Sequence, residues 1–183
     1  MGYTTWFEGS LQFNKEVTTE LREFINRFAD IRHMRRDIEK LKDKYPNWEN
    51  QCYNGMLGYE GAYFIGCEDD YDDESVIDYN IPPRGVPGLW CQWIIDKNEE
   101  LVWDEGEKFY NYVEWLEYLI YEFFEDEGYV LNGEIKFQGE SNDDRGRIVV
   151  TDNKVEVLYG DGLEDYSDED LITELIKRGY TVA

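Results

Sequence analysis

Alternating apolar and polar positions along the chain predict a series of short strands. Residues 3–13 are rich in aromatic and β-branched side chains and predict a first strand. Residues 89–105 predict a hairpin, because the apolar run 89–96 is followed by a polar turn and a second apolar run. Asn153 and its neighbours form a turn signal between two further strands. The strands predicted after the first, apart from the hairpin, cover 61–66, 129–140, 145–152 and 154–160.

Apolar residues that recur every three or four positions predict helices in three regions of the chain. The clearest is 109–128, which Gly128 would end. A closing helix is predicted over 168–179, where acids at the start and bases at the end match the helix dipole. The region 18–45 has two interpretations. It is either one basic helix about 40 Å long at 1.5 Å per residue, part of which would project, or two consecutive helices with a break near Asp30.

The order of these elements predicts an α+β fold, with a mostly antiparallel sheet packed against two or three helices. We expect a split β-α-β arrangement at the centre of the sheet. The length of 183 residues suits a single domain over 1–183 and is enough to bury a real core. The region 18–45 would form the basic helix or helix pair of this domain.

Composition adds a large net negative charge to this picture. The chain has 42 acidic and 18 basic residues, which gives a net charge of −24 at pH 7. With 42% hydrophobic and 16% aromatic residues it is expected to fold, unlike a disordered acidic tail. The charge disfavours direct nucleic acid binding by the acidic part, because phosphates repel it. No apolar run reaches 18 residues and the start lacks the regions of a secretory signal, so we expect no membrane partner.

The negative charge is concentrated beyond residue 50. Residues 1–50 contain nine acids and nine bases, whereas 60–127 contain 20 acids against three bases, a net charge of −17. The basic stretch 27–44 either contacts nucleic acid locally or makes internal salt bridges with the acidic part of the chain, and we favour the second interpretation. A homodimer contact through the apolar positions of 31–45 is a further expectation.

Residue types that carry catalysis are sparse or match no known spacing. The three cysteines, Cys52, Cys67 and Cys91, fit no zinc or redox pattern, and each is expected to be a small buried hydrophobe. His33 is the only histidine, and its basic neighbours predict a position on a helix surface. No phosphate-binding or nucleophile motif occurs, so we predict no cofactor and no enzymatic activity. The acidic loop 68–74 leaves a carboxylate-metal enzyme as an alternative, since hard cations prefer oxygen ligands.

Carboxylates line the polar side of the helix predicted over 109–128. Side chains three or four residues apart on a helix lie about 5–6 Å from one another, a separation comparable with that of phosphates along a nucleic acid strand. Such a row would match the Lys- and Arg-lined groove of a nucleic-acid-binding protein. A second interpretation is that the acidity serves solubility only, although a net charge of about 2–8 in magnitude is enough for that. The predicted partner-binding residues are Asp69, Asp70, Asp72, Asp73, Glu114, Glu117, Glu122, Glu125 and Asp126.

Several segments of the chain resemble a group of uncharacterised small acidic proteins found in phages, prophages and some bacterial genomes. The resemblance covers most of residues 1–160, with 30–60 the least similar, and it implies no catalytic residues. The segments that carry it are PGLWCQW (87–93), WDEGEKFYNYVEWLEYLI (103–120), GYVLNGEI (128–135), FQGE (137–140) and DDRGRIVV (143–150).

A phage setting implies a location in the host cytoplasm and a role against host defence. Several strongly acidic phage proteins, among them anti-CRISPR and anti-restriction inhibitors, resemble nucleic acid in charge, and the link to them is one of charge and size rather than of motif. The sequence therefore predicts a phage-type acidic inhibitor that binds a host nucleic-acid-binding defence protein, such as a CRISPR effector nuclease, as a DNA mimic. The alternatives are an accessory protein whose acidity serves solubility only and the carboxylate-metal enzyme.

Overall fold

The computed structural model describes residues 2–67, 72–141, 143–160 and 172–173, which have the predicted α+β fold. The helices in this part of the chain are α1 (Thr19–Asp30), α2 (Ile38–Lys44) and α3 (Tyr112–Leu119), and a π-helical turn, Ile120–Phe124, continues α3. The strands are β1 (Thr5–Phe13), β2 (Arg35–Arg36), β3 (Val76–Asp78), β4 (Trp93–Ile95), β5 (Glu100–Trp103), β6 (Leu131–Gly139), β7 (Arg145–Thr151) and β8 (Lys154–Tyr159).

Six strands form one sheet in the order β4-β5-β1-β6-β7-β8, and all the neighbours in it are antiparallel. Because β5 and β6 both pair antiparallel with β1, they run parallel to each other, and α3 connects them along the chain. This is the predicted split β-α-β arrangement, with β1 inserted between the two parallel strands. β2 and β3 form a separate two-stranded sheet.

One face of the six-stranded sheet is buried against the helices. Alternate residues of a strand point to opposite faces, and in β1 Leu11 is buried whereas Trp6 and Glu8 are exposed. Leu101 of β5 lies opposite Leu11 on the buried face, and Ile135 of β6 is buried with them in one core. We call this the inner face of the sheet. The outer face is the one that carries Trp6 and Glu8.

Aromatic side chains fill the space between the inner face and the helices. Phe7 of β1 packs edge to face against both Trp93 and Trp103, with ring centroids 5.4 Å apart in each pair. On the helical side, Phe28 of α1 meets Phe123 of the π-helical turn at 5.3 Å. Such pairs contribute about 0.5–1.5 kcal/mol each beyond the burial of their area. They hold α1 and α3 in place over the sheet.

The region 18–45 forms two helices, so the interpretation as a single projecting helix is wrong and the helix pair is correct. Thr18 caps α1, since its Oγ1 accepts a hydrogen bond from the Leu21 amide at 3.2 Å. After Asp30 the chain is extended and passes through β2. Asp37 then caps α2, because its Oδ1 accepts hydrogen bonds from the Glu39 and Lys40 amides.

The apolar positions between residues 31 and 45 face the interior of the same chain. Ile31 and Met34 are buried beside the main core, and Leu41 is buried in a second, smaller cluster with Leu57 and Phe64. These side chains already have partners within the chain, and the homodimer contact expected through 31–45 stays a prediction.

The strand predicted over 61–66 is absent from the structure. A short 3-10 turn covers Tyr59–Gly61, and Gly61 adopts a φ of +81°, which breaks an extended conformation. Phe64 and Ile65, which suggested a buried strand, are buried in the two clusters without pairing into a sheet. The helix predicted over 168–179 lies outside the described residues, apart from 172–173.

Candidate acidic binding surface

The helix that carries the predicted acidic row is firmly anchored in the core. Trp115, Leu116 and Leu119 of α3 are fully buried. The chain then makes a π-helical turn, in which the Glu125 amide donates to the Ile120 carbonyl at 2.9 Å, and the wider turn places Phe123 in the core as well. Core packing therefore fixes the position of the backbone that carries the exposed carboxylates of this region.

Four of the predicted carboxylates are exposed on α3 or directly after the π-helical turn that continues it. We call Glu114, Glu117, Glu125 and Asp126 the acidic helix surface, and all four are exposed. In the part of the chain that the structure describes, none of them has an ion-pair partner. The structure thus places two of these negative charges on α3 and two directly after the π-helical turn that continues it.

Tyr121 belongs to the same surface, although it is not among the residues predicted to bind a partner. Its side chain is 71% exposed and lies between Glu117 and Glu125 along the helix. The signal was present in the spacing, because residue 121 is four positions from each of these acids. Exposed tyrosines are common among the residues that contribute most to protein interfaces.

Glu122 contributes less to this surface than the sequence suggests. It is only partly exposed and accepts a short hydrogen bond from the Tyr63 hydroxyl. Burial and this neighbouring carboxylate raise the pKa of Tyr63. Glu127, which the sequence analysis did not select, makes a similar contact, since its Oε1 accepts from the Tyr53 hydroxyl at 3.0 Å. Both acids fasten the helix to the rest of the chain.

The described acids of the acidic loop differ in their exposure. Asp69 and Asp70 lie outside the described residues, and Asp72 is exposed. Asp73 is buried, which corrects its prediction as a partner-binding residue. The sequence could not distinguish it from its acidic neighbours, because its partners come from distant parts of the chain.

Asp73 is the centre of a buried polar network. Its Oδ1 accepts a hydrogen bond from the Ser75 amide at 2.7 Å, and its Oδ2 accepts from the Tyr45 hydroxyl. Two cations also approach Oδ2, with Lys44 Nζ at 3.1 Å and Arg36 Nη1 at 3.5 Å. Burial alone would raise the pKa of Asp73, but the hydrogen bonds from Tyr45 and Ser75, with that from Lys44, hold it well below its usual range. Asp73 is therefore a structural anion.

The basic stretch 27–44 makes internal ion pairs, as the favoured interpretation predicts. Arg36 and Lys44 approach Asp73, and Arg35 forms a two-pronged pair with Glu60. Arg36 is only 4% exposed and also donates to the Ser75 hydroxyl at 2.8 Å. These contacts connect the neutral first part of the chain with the acidic part that follows.

The remaining candidate chemistry is spread through the molecule. Cys91 is buried as expected, and burial raises its pKa, whereas Cys52 and Cys67 are partly exposed. Burial also raises the pKa of Cys52, to about 11, which keeps the thiol protonated at neutral pH. His33 is buried and not on a helix surface, which corrects its prediction. In the described ranges, no three or more Asp, Glu, His or Cys side chains are grouped so that they could hold a metal ion.

The described helices were also compared with the requirements of a membrane span, and none is both long and apolar enough to cross a bilayer. Comparison of the chain with protein-family models, with curated proteins and with solved structures gives no match. The surfaces of this molecule therefore provide the observations that bear on its function.

Proposed function

We propose that this protein is a phage-type inhibitor that binds a nucleic-acid-binding defence protein of a bacterial host and occupies its basic groove. The observation that carries the proposal is the acidic helix surface, in which Glu114 and Glu117 are exposed on the anchored α3 and Glu125 and Asp126 are exposed directly after its π-helical turn. A row of carboxylates at helical spacing resembles the phosphates of a nucleic acid strand to a Lys- and Arg-lined groove. The protein would compete with nucleic acid for that groove in the host cytoplasm.

The rigidity of α3 supports this mode of binding. Ordering a flexible acidic segment costs conformational entropy on binding, whereas a helix with Trp115, Leu116 and Leu119 fully buried is already ordered. The exposed ring of Tyr121 adds apolar area in the middle of the charged row. Long-range attraction between such a surface and a basic groove would speed the encounter at low ionic strength.

A competition assay tests the proposal. A candidate effector nuclease, loaded with its guide, is mixed with labelled target DNA, and the loss of bound DNA is measured as this protein is added. The variant Glu114→Lys/Glu117→Lys/Glu125→Lys is expected to be weaker than the native chain by about tenfold or more, because it places cations opposite cations.

A matched control separates the position of the charges from their number. Asp43→Lys/Glu49→Lys/Glu156→Lys changes the net charge equally at three exposed acids outside the acidic helix surface, and it is expected to inhibit almost as well as the native chain. Equal loss in both variants would show that the total charge, and not this surface, is responsible. Inhibition that persists in 1 M NaCl would also contradict the proposal, since salt at that concentration screens exposed charges beyond about 3 Å.

A further inference from the structure

The outer face of the six-stranded sheet carries an open depression of about 570 Å³. Trp6 of β1 lines it and is 51% exposed. Three cations line it as well, Lys136 of β6 and both Arg145 and Arg147 of β7, together with one acid, Glu8 of β1. In a chain with a net charge of −24, three cations around one exposed indole are unexpected.

The strand register explains why these side chains meet. Trp6 lies opposite Gln138, which lies opposite Arg145, so this row crosses three strands on the outer face. In the next row on the same face, Lys136 lies directly opposite Arg147. Neighbouring strands are about 4.8 Å apart, so the two rows bring the three cations close to the indole.

Lys136 and Arg147 are like charges on neighbouring strands of the outer face. Like charges directly opposite each other destabilise a sheet. Glu8 lies opposite Lys136 on its other side, and Glu134 Oε2 is 3.2 Å from Arg147 Nη1, which offsets part of this repulsion. Arg145 adds a third positive charge to the same depression. Cations gathered in this way attract the phosphates of a nucleic acid strand.

We propose that this depression binds single-stranded nucleic acid, with a base stacked on Trp6 and phosphates held by Lys136, Arg145 and Arg147. Stacking on an aromatic ring together with contacts from cations to the backbone is the common mode of single-strand recognition. The depression is open to solvent and lies across several strands, so a chain can pass over it, which an enclosed pocket for a small ligand would prevent.

The acidity of the rest of the protein does not prevent this contact. The acidic helix surface belongs to a helix that packs on the inner face, on the other side of the sheet. Exposed charges further apart than about 8 Å are largely screened at physiological ionic strength. This proposal is independent of the proposed function, and its test contains no defence protein.

The test is a fluorescence anisotropy titration of a labelled 15-nucleotide oligo(dT) with the full chain in 50 mM NaCl. Saturable binding is expected, and its logarithm is expected to fall with the logarithm of salt concentration with a slope of about −2 for three phosphate contacts. Absence of binding at 50 mM NaCl would overturn the proposal.

Variants on the outer face distinguish the contribution of base stacking to the binding affinity from the contribution of the cations. Trp6→Leu is expected to weaken binding about tenfold without a change in the salt slope, because it removes the base contact only. Arg145→Ala is expected to weaken binding and to reduce the slope by about 0.7. Trp90→Leu and Lys154→Ala, at an exposed tryptophan and an exposed lysine that do not line the depression, are the matched controls and are expected to bind like the native chain. Native-like binding by Trp6→Leu and Arg145→Ala would place the site elsewhere and overturn the proposal.

Competitors identify the ligand. A 15-base-pair duplex and polyglutamate at equal charge concentration are expected to displace the oligonucleotide poorly, because neither offers an unstacked base to Trp6. Efficient displacement by either would show a general anion site. Adenosine monophosphate that competes as well as the oligonucleotide would show a nucleotide site. Each of these results would overturn the assignment to a single strand.

Discussion

His33 is held neutral in the interior of the protein. It is 3% exposed, and its ring lies 4.2 Å from that of Phe28 and 5.0 Å from that of Trp115, measured between centroids. Burial lowers its pKa to about 3, and a hydrogen bond with the Phe28 backbone offsets only part of this effect. Its basic sequence neighbours suggest a surface position, but the segment after α1 is extended and turns the imidazole into the core.

Because its pKa is lowered, His33 makes the folded protein less stable at acidic pH. An unfolded histidine has a pKa of about 6.5, so between pH 6.5 and about 3 the unfolded chain binds a proton that the folded chain does not. Stability is therefore lost as pH falls below 6.5. At pH 5.5 the loss from this residue is about 1.4 kcal/mol relative to pH 7.5.

The variant His33→Leu isolates this contribution. Urea unfolding at pH 7.5 and pH 5.5 is expected to show a decrease in the free energy of unfolding that is about 1.4 kcal/mol smaller in the variant than in the native chain. Both pH values lie above the sequence pI of about 4.2, so the protein keeps a net charge and does not precipitate. The same decrease in both proteins would show that His33 is protonated in the folded state.

The link between α2 and the segment around β3 depends on the buried carboxylate of Asp73. Asp73→Ala would leave Arg36, which is 4% exposed, without the carboxylate that compensates its charge. Removal of one partner from a buried ion pair typically costs about 3–5 kcal/mol. We expect a loss of that size in the free energy of urea unfolding.

An exposed acid next to Asp73 provides the control. Glu74→Ala removes the same charge from the same segment and is expected to change stability by less than about 0.5 kcal/mol. Hydrogen exchange should show faster exchange in α2 of the Asp73 variant, since Lys44 and Tyr45 at its end lose their anchor. Comparable effects of the two substitutions would mean that Asp73 is not the buried anion described above.

The elements that the sequence predicts well are those whose pattern is local. The sequence predicts two strands, at 3–13 and 145–152, and the helix near 109–128. In each case the spacing of apolar residues within the segment itself indicates which side chains are buried. The break between α1 and α2 depends on Arg35 and Arg36, whose partners Glu60 and Asp73 are distant in sequence, and it could only be offered as an alternative. The false strand at 61–66 shows the same limit, because a short apolar run does not reveal what will cover it.

The distribution of charge over the surface is a property of the fold. The outer face of the sheet is balanced, with four bases and four acids among its described residues. These are Glu8, Glu100, Glu134, Lys136, Arg145, Arg147, Lys154 and Glu156. The acidic helix surface, in contrast, carries only negative charge. The sequence predicts the excess of acids in 60–127 and the helical row within it, but cross-strand register alone brings Trp6 and Arg145 together.

The concentration of like charge predicts that salt stabilises the fold. A net charge of −24 repels itself more strongly in the compact state than in the unfolded chain. When NaCl rises from 20 to 500 mM, the Debye length falls from about 20 Å to about 4 Å, and this repulsion is screened. We expect the free energy of unfolding to rise by about 1 kcal/mol, which corresponds to a Tm increase of about 2–4 °C for a chain of this size.

The acidic helix surface should account for part of that salt effect. The variant Glu114→Lys/Glu117→Lys/Glu125→Lys changes the net charge from −24 to −18, because each substitution replaces one negative charge with one positive charge. With less self-repulsion, it is expected to have a higher Tm than the native chain in 20 mM NaCl and a smaller increase at 500 mM, as scanning calorimetry would show. A native Tm that falls with added salt would indicate that ion pairs outweigh repulsion. Repulsion among the carboxylates proposed to bind a partner would then not be what lowers the stability of the free protein at low salt.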